Sequence, residues 1–258
     1  MISWNPWAAS KVVAEPQYLF VLNPAYCGST AFIHFLLSSQ KAAAAAPDAE
    51  GQWLPSVRRY MEADRWNPAK SMPWEKIKRA WLKEWNANKR RLPKAEVLIE
   101  KSPPNLLRAA EIEKAFPDTR FIIWMRNPYA WCASIQKREQ TQRLSHAAWA
   151  EQWLLRAQAQ RWNVENLHHT LRLSYEEFVD DVVSVKEKVA SFCHTLDDLD
   201  VNIRMKVKDY PVSGVVDHNV RQIAGLGQSN VEAITAVLRR DEDLVKFFGY
   251  ELAANGKA

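Results

Sequence analysis

Cysteine is scarce in this chain, and the few present do not form pairs. Cys27, Cys132 and Cys193 are three among 258 residues, far apart and odd in number, which argues against a disulfide framework and fits a reducing compartment. Long apolar runs are missing. Residues 18–22, Tyr-Leu-Phe-Val-Leu, are far too few to cross a bilayer, and the first twenty residues lack the basic start and apolar stretch of a secretion signal. The expectation is a soluble, cytoplasmic protein with no membrane span. No sign of charge dominates either: 35 basic and 30 acidic residues leave a net charge of +5, which permits an electropositive cleft for an anion. The basic residues are scattered, and the densest run, Lys89-Arg90-Arg91, reads as a solvated helix end, so no nucleic-acid partner is expected. Zinc spacing is lacking, since the adjacent His168 and His169 cannot converge on one ion without distant partners. There is no internal repeat and no flexible linker, which leaves one domain over residues 1–258 as the expectation.

What is present is apolar patterning broken by loops. A composition that is 47% apolar supplies one substantial core, and the order of segments points to an α/β fold with a central parallel sheet flanked by helices. Residues 18–22, the Gly28-Ser29-Thr30 loop and residues 31–37 read as strand, tight turn and helix. The five alanines from Ala42 to Ala46 read as an extension of a helix, and the rest of 41–56, with Pro47, Gly51 and Pro55, reads as an exposed mobile loop. Residues 57–92 are polar and helical in tendency and carry Trp66, Trp74, Trp81 and Trp85, which either cover the core beneath a lid or line a pocket. Residues 97–99 form a strand candidate, 105–115 a helix, and 121–125, Phe-Ile-Ile-Trp-Met, a strand with no room for a solvated face. Further on, 144–162 and 184–196 read as helices and 172–174 as a strand. Residues 209–227 read as a loop before helices at 230–238 and near Phe247.

Two loops carry the chemistry. Asn23-Pro24-Ala25-Tyr26-Cys27-Gly28-Ser29-Thr30 follows the first strand, and a small-residue loop entering a helix aims several backbone N–H groups at one place, where the helix dipole favours an anion. Gly28 permits close approach and Ser29 and Thr30 add hydroxyl donors, although the same turn serves equally as a structural N-cap. The lysine of a Walker loop is absent, which counts against an ATPase, a GTPase or a kinase-like phosphotransferase. Arg126-Asn127-Pro128 follows the second strong strand. It places a guanidinium at a carboxyl strand end, where it can hold phosphate bidentately, and Pro128 starts a helix bearing Ser134 eight residues beyond the arginine. Cys27 lacks a nearby base and reads as loop packing rather than a nucleophile.

These residues, in this order, resemble the sulfotransferases that use 3'-phosphoadenosine 5'-phosphosulfate (PAPS), in the style of the bacterial and the glycan- and tyrosine-modifying branches. The loop from Tyr26 through Cys27, Gly28, Ser29 and Thr30 looks like the one that holds the 5'-phosphosulfate. Arg126 and Ser134 match the pair that grips the 3'-phosphate, and Arg221 resembles a further basic ligand to that phosphate. Glu100-Lys101-Ser102-Pro103, Leu173-Ser174-Tyr175-Glu176-Glu177-Phe178 and Phe248-Gly249-Tyr250 are also family-like.

The resemblance implies a P-loop-like sulfotransferase fold, transfer of a sulfuryl group from PAPS to a hydroxyl or amine of a small-molecule or glycan acceptor, and release of adenosine 3',5'-bisphosphate (PAP). It also implies a soluble form distinct from the membrane-anchored members, while the Trp-rich region 55–95, which the resemblance does not cover, is read from its tryptophans as an acceptor or lid region. One departure stands out. The family places Lys or Arg where this chain has Tyr26, so either Lys101 supplies the charge that stabilises the sulfuryl group, or the fold is kept as a nucleotide-binding or interaction protein without transfer. The resemblance implies a glutamate base shortly after the loop, for which Glu50 is the nearest candidate; Glu62, Asp64, Glu100 and His146 compete with it, His146 for its near-neutral pKa.

Overall fold

The computed structural model describes residues 15–138, 144–207 and 211–253. Five parallel strands form its sheet: β1 (Gln17–Leu22), β2 (Ala42–Ala44), β3 (Val97–Glu100), β4 (Arg120–Met125) and β5 (Thr170–Ser174), in the order β2-β3-β1-β4-β5. Side chains alternate between the faces. Leu19 and Val21 of β1 join Val97, Ile99, Ile122 and Trp124 in one buried cluster, while Tyr18, Phe20 and Leu22 join Leu98, Phe121 and Ile123 in the other. Both faces are covered by helices, which is why these strands read as unbroken apolar runs.

The first face is packed by α1 (Ser29–Leu36), α5 (Pro128–Arg138), α6 (His146–Asn166), α7 (Tyr175–Asp180), α8 (Val182–Phe192) and α10 (Gln228–Leu238). The second face is packed by α2 (Pro55–Met61), α3 (Trp74–Lys89) and α4 (Ala109–Ala115). In α3, Trp74, Ile77, Trp81 and Trp85 recur at the helical period and are all buried. Three of the four tryptophans in the Trp-rich region therefore belong to the core.

Two local readings are corrected. The alanine tract is no helix: Ala42–Ala44 is the edge strand β2, paired with β3 from Ala42 opposite Val97 to Ala44 opposite Ile99. Alanine's helical preference is a weak prior, and here side chains without bulk let the strand sit close beneath α3, whose Asn88 Nδ2 donates to the Ala44 carbonyl at 2.8 Å. The following turns are not an exposed loop either, since Ala45, Ala49, Gly51 and Gln52 are buried. Residues 211–227 include a short helix, α9 (Asn219–Ala224), and α11 (Glu242–Phe247) ends the series. Asp209 and Tyr210 of the expected loop lie outside the described residues.

Candidate active site

The strand order sets the site. The chain leaves β1 toward β2 and leaves β4 toward β5, so a crevice opens between β1 and β4 at their carboxyl ends. Residues 23–28 and 126–127 occupy it, and a cleft of about 240 Å³ runs across it to the end of β3. Helix α6 satisfies the carbonyls there: Gln160 Nε2 donates to Leu22 O at 2.6 Å and Trp153 Nε1 to Arg126 O at 3.0 Å. Two further indoles hold the loop's own carbonyls, Trp131 Nε1 on Ala25 O at 2.7 Å and Trp124 Nε1 on Cys27 O at 3.1 Å. Negative carbonyl ends are thus kept occupied, and the cleft meets the start of α1.

Gly28 precedes α1 with φ +80°, and no side chain caps the helix. A Cβ here would lie 2.5 Å from Cδ2 of Tyr175, so both the backbone conformation and the ring require glycine. Ser29 Oγ accepts from Asn23 Nδ2 at 3.0 Å, which leaves its own O–H to donate toward the cleft that it and Thr30 line. Tyr26 lines the cleft too, with φ +64°. Cys27 does not. It is fully buried, and burial, only partly offset by hydrogen bonding to Ser29 and Asn23, pushes its thiol above the usual value. It packs the loop rather than touching a ligand.

On the β4 side, Arg126 is 3% exposed, yet its partners are neutral. Nε donates to Asn219 Oδ1 at 2.8 Å, Nη2 donates to Gln222 Oε1 at 2.6 Å, and the guanidinium lies over the Tyr175 ring at 4.1 Å. No carboxylate pairs with it among the described residues, so its charge is uncompensated. Glu176 stands one step behind: it accepts from Asn127 N at 3.0 Å, Asn219 Nδ2 at 2.5 Å and Tyr250 Oη at 3.0 Å, so it orients the asparagine that orients the arginine. Ser134, 5% exposed, lines the same cleft from α5, with Arg138 one turn further along the helix.

On the β3 side, Lys101 and Glu50 meet. Lys101 Nζ donates to Glu50 Oε1 at 2.6 Å, and Glu50 Oε2 accepts from Gln52 Nε2 at 2.9 Å and Trp53 Nε1 at 2.8 Å. Burial raises the Glu50 carboxyl, but the Lys101 charge and these hydrogen bonds outweigh it and hold the group below its ordinary value. Glu100, adjacent to Lys101, points the opposite way. It accepts from Gly51 N at 2.9 Å, Ser102 N at 2.8 Å and Asn105 Nδ2 at 3.2 Å, and burial pushes it up to about 7 despite them. It anchors the two loops beneath the cleft and takes no place in its wall.

The remaining sequence candidates lie elsewhere. His146 begins α6, hydrogen-bonds Asn230 and is outside the cleft wall; burial lowers its pKa. Glu62 pairs with Arg58 on the surface of α2, and Asp64 is exposed. Arg221 is exposed on α9, while its neighbour Gln222 faces Arg126. Sequence reasoning missed Gln222, Arg138, His218, Arg65 and Trp53, which all line the cleft. Only Arg138 carried a signal, its four-residue spacing from Ser134 on one helix.

The parallel sheet, the uncapped turn after β1 and the buried arginine after β4 define an α/β protein with a cation-bearing cleft at the carboxyl ends of its strands. Comparison with known proteins narrows this. The profile described as "Sulfotransferase family" matches residues 20–198, more than half of the chain, and the chain belongs to that family. Among solved structures, it is similar to the sulfotransferase from Alicyclobacillus acidocaldarius, with 18% identity, TM-score 0.53, and coverage of 93% of this chain and 98% of that one. It is also similar to the sulfotransferase domain of the Synechococcus PCC 7002 olefin synthase, with 17% identity, TM-score 0.55, and coverage of 94% and 98%. A third is the sulfotransferase domain from the curacin biosynthetic pathway, with 11% identity, TM-score 0.54, and coverage of 93% and 100%. At these identities the structures show the fold. No curated protein matches the sequence. The comparisons establish the family but not the glycan- or tyrosine-modifying branch within it. Among the described residues, no helix is long and apolar enough to cross a membrane.

Proposed function

We propose that the protein transfers the sulfuryl group of PAPS to a hydroxyl or amine of a small-molecule or glycan acceptor, as one cytoplasmic domain. The observation that carries this reading is Arg126, a buried guanidinium held only by neutral oxygens and open to the cleft that meets the uncapped start of α1. A buried charge left without a counter-charge is costly, and a phosphate would supply the missing one. When bound, PAPS supplies an activated sulfuryl group and a stable leaving phosphate. Arg126 and Ser134, with Arg138 beside them, would hold its 3'-phosphate, and Gly28, Ser29 and Thr30 its phosphosulfate.

Lys101 answers the departure at Tyr26: it lines the cleft, its ammonium paired with Glu50, and brings a cation that the loop lacks. Glu50, ionised at neutral pH, would take the acceptor's proton. Its Oε2 already has two donors and Oε1 only Lys101, so the remaining lone pair on Oε1 is the place for that proton. The pair is self-balancing, since Lys101 stabilises negative charge on the transferring group and on Glu50 alike. Three free, buried thiols support the reducing setting. Tyr26 favours the alternative of a binding protein without transfer; Lys101 in the cleft wall is the observation against it.

Calorimetric titration with PAP and ATP tests the proposal. PAP should bind much more tightly than ATP, and Arg126→Ala should weaken PAP by about 100-fold or more, the loss of a buried charge-assisted pair. Folded wild-type protein that does not bind PAP would overturn it, and PAP binding without turnover of labelled PAPS on a broad acceptor panel would select the inactive alternative.

A further inference from the structure

Among the described residues that line the cleft, one cation is left unused by the proposed nucleotide site. Arg65 lines it from the loop between α2 and α3, its guanidinium 5.3 Å from the centre of the Trp53 ring and 5.9 Å from that of Trp66. Among the described residues it has no ion pair. Glu62, nearby in sequence, feels the Arg65 charge but is hydrogen-bonded by Arg58 through Nε at 2.8 Å and Nη2 at 2.5 Å, and Glu50, the sole carboxylate among the described lining residues, is paired with Lys101.

The position of this cation is built into the fold. Arg108, 2% exposed, donates Nη1 to the carbonyls of Arg65 at 2.9 Å and Pro104 at 3.2 Å, and Nη2 to that of Asn67 at 2.6 Å. This ties the loop to the segment that follows β3. Trp53 also links Arg65 to the chemistry, because its Nε1 donates to Glu50 Oε2 at 2.8 Å. The proposed base and the Arg65 guanidinium therefore meet at the same indole; Arg58 also lies 5.7 Å from the Trp53 centre and Arg156 4.7 Å from that of Trp66, so this aromatic wall is cationic as well.

We infer that the acceptor carries an oxyanion such as a carboxylate on a flat body, and that Arg65 selects it while Trp53 and Trp66 receive the body. This rests on the sulfuryl-transfer reading above. Guanidinium–carboxylate pairing supplies the selectivity, and indole faces accept planar or sugar-like surfaces.

The test uses PAP-saturated protein titrated calorimetrically with 2-naphthol and with 6-hydroxy-2-naphthoate, one flat body without and with the carboxylate. The naphthoate should bind about tenfold more tightly or better. Arg65→Gln should abolish that preference while PAP and naphthol affinities stay within about twofold, and Arg65→Lys should keep part of it. Arg108 grips the backbone carbonyl at this position, so both variants retain the loop's anchors, and matching thermal melts check this. Equal affinities in the wild type, no binding of either compound, or a preference that survives Arg65→Gln would each overturn the inference. So would a parallel loss of PAP affinity, which would assign Arg65 to the nucleotide. Failure of the wild type to bind PAP at the first step would instead sink the underlying reading, and the inference with it.

Discussion

The two ends of the cleft handle charge in opposite ways. On the β4 side the hydrogen-bond partners of Arg126 among the described residues are the neutral oxygens of Asn219 and Gln222, and the Glu176 carboxylate acts through Asn219. On the β3 side Lys101 is already paired with Glu50 at 2.6 Å. An uncompensated cation is suited to a ligand whose negative charge is permanent, as a phosphate's is. A compensated pair is suited to charge that appears and disappears during a reaction, because each member offsets the change on the other. The proposed function assigns holding to the first end and chemistry to the second.

The sharpest way to break that comparison is Lys101→Met, which keeps the volume of a buried side chain and removes its charge. Turnover of labelled PAPS should fall about 1,000-fold, while PAP affinity stays within severalfold. If rate and PAP affinity fall together, the two ends are one binding site and the division is wrong.

Glu50→Gln comes next, with an expected loss in kcat of about 100-fold and little change in PAP binding. The pH profile sharpens this prediction. Because the Glu50 carboxyl is held below its ordinary 4.5, it is protonated only below that pH, so the wild-type rate should show no acidic limb near neutrality. A limb between about pH 6 and 7 would bring in another group, either an imidazole or Glu100 beneath the cleft, whose carboxyl burial pushes up to about 7. His218, which lines the cleft, would be the first to examine. The same depression has a consequence for stability: the Glu50–Lys101 pair contributes above the unfolded carboxylate's pKa, and the contribution is lost as pH falls through the lower folded value.

The smallest effect is expected from Ser134→Ala on the holding end. PAP affinity should drop about fivefold, the net worth of one hydroxyl hydrogen bond, with kcat unchanged at saturating PAPS. A loss as large as that of Arg126→Ala would mean that the serine, rather than the arginine, organises this end.

Much of this molecule was legible locally. The apolar runs of β1 and β4, the turn into α1 and the Arg126–Ser134 spacing are short-range patterns, and all appear where they were read. Tyr175 was legible as part of a motif but not by its role, which is to fill the space that Gly28 leaves open and carry the guanidinium of Arg126 on its ring. The alanine tract misled because its propensity favours a helix, while its place beside β3 needed only small side chains. Arg221 missed the site by one residue. Neighbours on a helix diverge by about 100°, so Gln222 faces the cleft and Arg221 faces solvent.

The sequence by itself determined which strands are buried on both faces, where a Gly-Ser-Thr turn into a helix follows one of them, and which arginine stands at the end of another. These depend on periodicity and on neighbours within a few residues. Only the tertiary structure decided that Glu50 meets Lys101 across 51 residues, and that Arg126 finds neutral rather than acidic partners on α9. The structure also put Trp53, Trp66 and an unpaired Arg65 on one wall. Those meetings follow from the strand order β2-β3-β1-β4-β5 and from the packing of helices on its faces, which bring together side chains whose separation in sequence carries no local signal.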